Sequence, residues 1–241
     1  MKKYVIISGV PRAGKSTVSQ IIAKKFGFQH ISMDSIIAGI EKVFPETKIN
    51  TEVWSEPQKN LEFISSRIAP FIRAMIDSGE YDECDYGVVI DVFQLLPCDY
   101  IKFIDNSKCD IYYLLSSDVT PAERFELLKL FDTPKDYTYY RSDEENKKDC
   151  TDIVNISKLI KEQCILHGLP YYETTKNRDT IIKEFITSLF WHNETLYGII
   201  PSVARETTAV VSDTYRKGVL LMEEIISFTL LVMIIVLYIK K

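Results

Sequence analysis

The sequence predicts an α/β fold in which a parallel β-sheet is covered by helices on both faces. Short, nearly continuous apolar runs alternate along the chain with segments whose apolar residues recur at helical spacing, and this alternation is typical of a buried parallel sheet. The first apolar run, residues 4–8, leads into a glycine-containing loop that opens an amphipathic helix. That arrangement is typical of a loop that binds nucleotide phosphates.

The individual elements follow from local patterns. The runs predicted as strands are residues 4–8, 29–32, 87–91, 109–115 and 169–173. One predicted helix runs from the glycine loop to residue 26. The other predicted helices cover residues 35–43, 61–76, 120–131, 153–165 and 179–190. Thr120 and Pro121 form a favourable helix start, and Ser78-Gly79 form a helix stop. Residues 44–57 are predicted as a loop, and Pro70 is expected to bend its helix rather than end it.

Composition narrows the function classes. The 241 residues carry a net charge of -5 and a pI near 5.4, so the chain has no general attraction to nucleic acid, and we expect no nucleic-acid partner. The five cysteines are scattered and include no Cys-x-x-Cys pair. This pattern favours neither a zinc site nor a disulfide framework, and it predicts a reducing, cytoplasmic location.

Residues 9–17 read Gly-Val-Pro-Arg-Ala-Gly-Lys-Ser-Thr and match the Walker A pattern in its expected place between strand and helix. The residues expected to bind ATP are Gly9, Arg12, Ala13, Gly14, Lys15, Ser16 and Thr17. Lys15 would reach the β- and γ-phosphates, and the Ser16 hydroxyl would bind Mg²⁺. Thr17 and the loop amides would hold the α- and β-phosphates.

The layout resembles the P-loop small-molecule kinases, which include nucleoside monophosphate, shikimate and gluconate kinases. The likeness covers roughly residues 3 to 190 and rests on the loop, on Asp34, on the apolar strand that ends in Asp91, and on a polar segment at about 132–150. The resemblance implies a three-layer P-loop NTPase fold with a five-stranded parallel sheet of order 2-3-1-4-5. It also implies a substrate region between strands two and three and a lid at 132–150. Val92 departs from the family, which commonly has glycine there.

Two acids are candidates for the chemistry. Asp91 stands where a Walker B acid would hold the Mg²⁺ hydration shell, or it caps the next turn. Asp34 would bind the acceptor and accept a hydrogen bond or proton from its hydroxyl, or it caps a helix that starts at Ser35.

Four arginines are candidates for binding anions. Arg67 and Arg73 lie on the predicted long helix and would bind an anionic acceptor, unless they are solvated surface charges. Arg124 and Arg141 flank the lid segment and would clamp the transferring phosphoryl group. The alternative is surface ion pairing with neighbouring acids, which are Glu123, Glu126 and Asp143.

Together these residues favour an ATP- and Mg²⁺-dependent phosphotransferase that acts on a small hydroxyl- or phosphate-bearing metabolite. The alternative is a non-catalytic or slowly hydrolysing nucleotide-binding regulator, which could be tethered to a membrane. A kinase requires a formed cavity near Asp34 and the long helix, and a regulator does not. The Asn146-Lys-Lys-Asp149 stretch matches a GTPase guanine-recognition motif, but charged residues precede it instead of the buried strand that such a motif follows.

The C-terminal segment has a different character. Residues 191–218 are predicted as a linker and residues 219–241 as a hydrophobic helix, in which residues 225–239 carry no charge. A helix of that uncharged length spans roughly 22 Å, which is short of the roughly 30 Å hydrocarbon core of a bilayer. A membrane anchor, a helix buried in an oligomer and an appendage without an evolved role all fit this pattern.

Overall fold

The structure is a computed structural model that describes residues 2–51 and 55–197, with side chains as far as residue 189. Contacts divide the chain into two units, Met1–Phe190 and Trp191–Lys241. Of the second unit only the helical backbone of residues 191–197 is described. Most of the predicted linker and the whole predicted hydrophobic helix at 219–241 therefore lie outside the described residues. Within the described ranges no helix is long and apolar enough to cross a membrane.

Strands and helices alternate along the first unit. The strands are β1 (Tyr4–Gly9), β2 (Gln29–Ser32), β3 (Val88–Asp91), β4 (Cys109–Leu115) and β5 (Tyr171–Glu173). The helices are α1 (Lys15–Phe26), α2 (Met33–Val43), α3 (Pro57–Asp77), α4 (Pro97–Phe103), α5 (Pro121–Phe131), α6 (Asp143–His167) and α7 (Arg178–Tyr197). Short 3₁₀ turns occur at Pro45–Thr47 and Tyr137–Tyr140. The five predicted strands are confirmed.

The strands form one sheet of order β2-β3-β1-β4-β5, and all four pairings are parallel. This is the α/β class and the order that the resemblance implies, so the fold prediction is confirmed. Every residue of β1 and β3 is buried, because helices cover both faces of a parallel sheet. The carboxyl ends of all five strands share one edge, where Gly9, Ser32 and Asp91 lie on adjacent strands.

Three predicted helix starts are wrong. Helix α3 begins at Pro57 rather than near residue 61. Helix α2 begins at Met33, so Asp34 lies inside its first turn and does not cap a helix starting at Ser35. Helix α6 begins at Asp143 rather than near residue 153. Ser142 caps α6 through a capping box with Glu145, because each side chain bonds the backbone N–H of the other residue.

The capping box changes the description of the segment at 132–150. Residues 143–150 of this predicted lid segment form the first two turns of α6, and only residues 132–142 lie outside that helix. The short helix α4 was also missed by the sequence analysis, although Pro97 occupies its first position, where proline is favoured. Pro70 lies inside α3, which continues to Asp77.

Among the glycines assessed in the described residues, Gly9 leaves the least room for a Cβ atom. Its φ is 125°, and a Cβ atom there would overlap the Leu114 carbonyl of β4. Gly27 also has a positive φ, 68°, but its Cβ would meet no atom within 4 Å.

We therefore expect Gly9→Ala to lower the free energy of unfolding by about 3 kcal/mol, from backbone strain and steric overlap together. Gly27→Ala is the matched control and should cost about 1 kcal/mol, from backbone strain alone. Urea denaturation of both variants measures the difference. Equal losses would contradict the close packing of β1 against β4.

Candidate active site

The loop between β1 and α1 places free backbone N–H groups at the carboxyl edge of the sheet. Gly14 has φ 98° and is the N-cap of α1, with no side chain capping the helix. The first amides of α1 are therefore open to an anion at the positive end of the helix. Ala13 is buried, whereas Ser16 and Thr17 are exposed at the start of α1. The predicted phosphate-binding residues thus surround one concave backbone turn.

Lys15 is buried beneath this loop. Its side chain is 7% exposed, and Nζ donates to the Val10 carbonyl oxygen at 3.0 Å. Nζ also lies 5.7 Å from the ring centre of Phe93, which follows β3. Burial lowers the pKa of Lys15, and the carboxylates of Asp34 and Asp91 oppose that shift. The structure therefore brings the predicted lysine and both predicted acids into one electrostatic cluster.

Asp91 is the most enclosed member of this cluster. It is 2% exposed, and its Oδ2 lies 3.8 Å from Nε2 of His30 on β2. Its Oδ1 is buried and has no hydrogen-bond partner among the described residues. Such an atom in a native site calls for a partner that the protein does not itself supply.

Magnesium fits this donor set. The open oxygen of Asp91 and the exposed hydroxyl of Ser16 are the hard oxygen donors that Mg²⁺ prefers. The described residues hold no group of three or more His, Cys, Asp or Glu side chains arranged for a metal ion. Mg²⁺ does not require one, because it is commonly held by one or two protein oxygens together with substrate phosphates and water.

Asp34 faces the same cluster from the first turn of α2. Its side chain is exposed to solvent, yet desolvation by the surrounding protein raises the pKa of Asp34. The Lys15 ammonium opposes that rise, and the Asp91 carboxylate adds to it. Asp34 is thus a solvent-accessible carboxyl beside a buried lysine, at the outer side of the cluster.

Arg124 of α5 contacts the loop at residues 9–17, which is called the phosphate loop here after its predicted role. It is 6% exposed, and Nη2 donates to the Pro11 carbonyl oxygen at 2.8 Å while Nη1 donates to Ser116 Oγ. Burial lowers the pKa of Arg124. Its hydrogen bonds go to these oxygens and not to Glu123 or Glu126. The side chain therefore lies against the loop, and its role as a phosphate clamp stays a prediction.

Arg12 links the phosphate loop to the segment at 132–142. Its guanidinium pairs with Asp136 and, at 3.2 Å, with Asp132. Thr138 donates to Asp132 at 2.7 Å and accepts at its carbonyl from Asn146 of α6 at 2.9 Å. The predicted lid segment is thus tied to the loop at one end and to α6 at the other.

Arg141 and the stretch Asn146–Asp149 also connect residues 132–142 to α6. Arg141 pairs with Asp149 of α6, not with Asp143. Asn146 and Asp149 are both buried in the first two turns of α6. They hold residues 132–142 against the helix, and the element directly before α6 is the 3₁₀ turn Tyr137–Tyr140, not the strand that a guanine-recognition motif follows.

Arg67 and Arg73 stay apart from the cluster. The Arg67 guanidinium lies 3.6 Å from the ring centre of Phe63, and Arg73 pairs with Asp77 at 3.2 Å, so both use partners on α3 itself. In the described ranges no hydrogen bond or ion pair joins either arginine to Lys15 or the two acids of the cluster. The structure therefore gives no support to their assignment as anion-binding residues.

A cavity of about 650 Å³ opens beside the loop, between α5 and the β5–α7 connection. Its lining includes Arg12 and Arg124 on one side and residues 174–180 on the other. Sequence analysis missed this connection, although it follows a strand at the carboxyl edge, where α/β sheets bind ligands. Thr174 donates to the Ala13 carbonyl at 2.8 Å, which fixes the connection to the loop. The volume suits a nucleoside.

A second cavity lies against α3 and is much smaller, about 20 Å³. Phe93, Gln94, Asn60 and Thr51 contribute to its wall. Gln94 Oε1 is buried and lacks a hydrogen-bond partner in the described part of the chain. This space holds about one water molecule.

Solved structures with a similar fold include several kinases. The structure aligns over 81% of its length with 98% of a shikimate kinase from Bacteroides thetaiotaomicron, at 17% identity and a TM-score of 0.45. It aligns over 80% of its length with 95% of a gluconokinase from Sinorhizobium meliloti 1021, at 16% identity and a TM-score of 0.37. It aligns over 77% of its length with 98% of a deoxyadenosine kinase from M. mycoides, at 14% identity and a TM-score of 0.40. No family model and no curated protein matches the chain. These likenesses concern the fold alone.

Lys15→Met should leave the fold intact, because methionine keeps the length of the buried chain and the Val10 carbonyl still accepts from the Ala13 N–H at 3.4 Å. The folded state lowers the pKa of Lys15 from its ordinary value of 10.5. Between the lowered pKa and 10.5 the unfolded chain binds more protons, so this lysine makes stability rise with pH there.

We expect urea denaturation across the alkaline range to show that rise in the wild type relative to Lys15→Met. A constant difference between the two proteins at every pH would contradict the burial of a charged lysine.

Proposed function

We propose that this chain is an ATP- and Mg²⁺-dependent phosphotransferase that acts on a small hydroxyl- or phosphate-bearing metabolite. The observation that carries the proposal is the convergence of Lys15, Asp34 and Asp91 beneath the open amides of the α1 N-terminus. Phosphoryl transfer needs charge neutralisation and alignment more than covalent chemistry. Lys15 would supply the buried cation, and oxygens of Asp91 and Ser16 would hold the metal ion. Asp34 would supply the accessible carboxyl.

Each residue has a defined part in this proposal. The amides of the loop and Thr17 bind the α- and β-phosphates, and Lys15 turns from the Val10 carbonyl to the transferring phosphate. Ser16 and Asp91 would hold Mg²⁺, directly or through its water, and the ion would neutralise phosphate charge. Arg124 and Arg12 lie on the side of the loop that faces the large cavity.

Asp34 is the proposed base for the acceptor hydroxyl. It is the member of the cluster that solvent reaches, so an acceptor can approach it. A general base works best when its pKa lies near the working pH, and desolvation moves the pKa of Asp34 in that direction. The neighbouring Lys15 ammonium limits the rise in the pKa of Asp34.

The small cavity favours a second candidate function, a nucleotide-binding regulator without an acceptor. A space of about 20 Å³ against α3 does not hold a metabolite. The two functions differ in one measurement, which is ADP release with and without a panel of nucleosides, nucleotides, sugars and hydroxy acids. Release that depends on one acceptor class supports the phosphotransferase. Nucleotide binding with no acceptor dependence across the panel supports the regulator.

We also propose a cytoplasmic location. All five cysteines are free, and three of them are buried as thiols: Cys109, Cys150 and Cys164. Free thiols of this kind are typical of proteins in reducing compartments.

Asp34→Asn tests the role of the proposed base. The change keeps the size of the side chain and removes one favourable charge from the first turn of α2, which costs about 0.5 kcal/mol. We expect acceptor-dependent transfer to fall by about 10² to 10⁴ while the Kd for ATP changes less than about threefold. Steady-state kinetics and calorimetry measure the two quantities.

Asp143→Asn is the matched control, because Asp143 is also an acid in the first turn of a helix. It should change transfer less than about twofold. Parallel losses of transfer and ATP binding in Asp34→Asn would assign Asp34 to the metal shell instead. Unchanged transfer would move the role of base to Asp91.

A further inference from the structure

Arg178 lies directly over the phosphate loop. It is the first residue of α7, and its Nη2 donates to Thr17 Oγ1 at 3.3 Å. A Cβ atom on Gly14 would stand 3.1 Å from Arg178 Nε, which shows how closely the guanidinium approaches the loop backbone. The same side chain lines the large cavity. Arg178 therefore joins the last residue of the loop to the large cavity, which would receive the nucleoside of a bound nucleotide.

The other cations around this cavity already have partners. Arg12 pairs with two carboxylates, Arg124 donates to two oxygens, and Lys176 pairs with Glu123 at 3.3 Å. Arg178 differs, because its Nε is buried and has no hydrogen-bond partner in the described ranges. It is thus a guanidinium at the loop with a buried donor still open.

This position is unfavourable for a cation unless an anion is bound. Arg178 sits in the first turn of α7, where the helix dipole disfavours positive charge. A bound phosphate would satisfy the open Nε donor and offset the unfavourable helix dipole.

We propose that Arg178 binds the α-phosphate of the nucleotide, the phosphate nearest the nucleoside. The inference rests on the proposed function, since it requires a nucleotide in the loop. The contact with Thr17 places Arg178 at the end of the loop that would hold the α- and β-phosphates. Arg178 also lines the large cavity, so of these two phosphates it would meet the one joined to the nucleoside. Lys15, with Asp34 and Asp91, marks the opposite end, where the terminal phosphate reacts. Arg178 is accordingly a positioning residue for ground-state nucleotide binding.

The test compares ligands that differ only in their phosphates. Calorimetry of the full chain would measure the Kd of ATP, ADP, AMP and adenosine for the wild type, Arg178→Met and Arg178→Lys. We expect Arg178→Met to weaken all three phosphorylated ligands about tenfold or more and adenosine less than about twofold. Arg178→Lys keeps the charge and should recover part of that loss.

Lys176→Met is the matched control. It removes one positive charge from the same cavity lining and should change the Kd of ADP less than about twofold, because Lys176 is paired at the surface with Glu123. An equal loss in this variant would mean that the general charge of the cavity, and not Arg178, attracts the phosphate.

The remaining outcomes separate the two proposals. A loss that extends equally to adenosine would overturn the inference in favour of a base contact or a distorted loop. A loss confined to ATP would assign Arg178 to the terminal phosphate. Unchanged affinities in a wild-type chain that binds ADP would overturn the inference alone. A wild-type chain that binds none of the phosphorylated ligands would overturn the proposed function and the inference together.

Discussion

The parallel pairing of β1 with β3 fixes the position of the charged groups at the candidate active site. Ile7 stands opposite Asp91 in this pairing, and the Val92 N–H donates to the Ile7 carbonyl at 3.1 Å. The register leaves Asp91 at the end of β3, beside the turn that β1 enters at Gly9. A shift of one residue would turn Asp91 to the other face of the sheet. The buried lysine would then have lost one of the two carboxylates that favour its charge.

The charged side chains of the candidate site form two groups, one acidic and one cationic. Asp34 and Asp91 lie on the side of β2, β3 and α3, whereas Arg12, Arg124 and Arg178 lie on the side of α5 and α7. Lys15 stands between the two groups and interacts with Asp34, Asp91 and Arg124. A nucleotide entering from the cationic side would place its terminal phosphate toward the acids. This division gives the phosphotransferase proposal a direction of transfer, from the large cavity toward Asp34.

The sequence predicted those parts of the fold that local patterns determine. The bounds of β4 agree with the predicted run at 109–115 because its largely apolar residues mark a buried strand. The loop was recognised because its glycines and lysine are adjacent in sequence. The start of α6 could also have been found, since Ser142 and Glu145 form a capping box three residues apart.

The missed parts of the site depend on contacts between distant residues. Arg178 meets Thr17 across 161 positions of the chain, and Arg12 meets Asp136 across 124. A lone arginine in a polar turn carries no local pattern that reveals such a partner. Arg67 illustrates the converse, because its place on a long helix suggested an anion site, while the folded chain stacks it on Phe63.

The central claim is that the turn at residues 9–17 is the triphosphate site and that Lys15 is its reactive cation. A crystal structure with Mg²⁺ and a non-hydrolysable ATP analogue tests this most directly. We expect phosphates within the loop, with Lys15 Nζ moved from the Val10 carbonyl to oxygens of the β- and γ-phosphates. A bound analogue whose phosphates lie outside the loop, with Nζ still 3.0 Å from the Val10 oxygen, would contradict it.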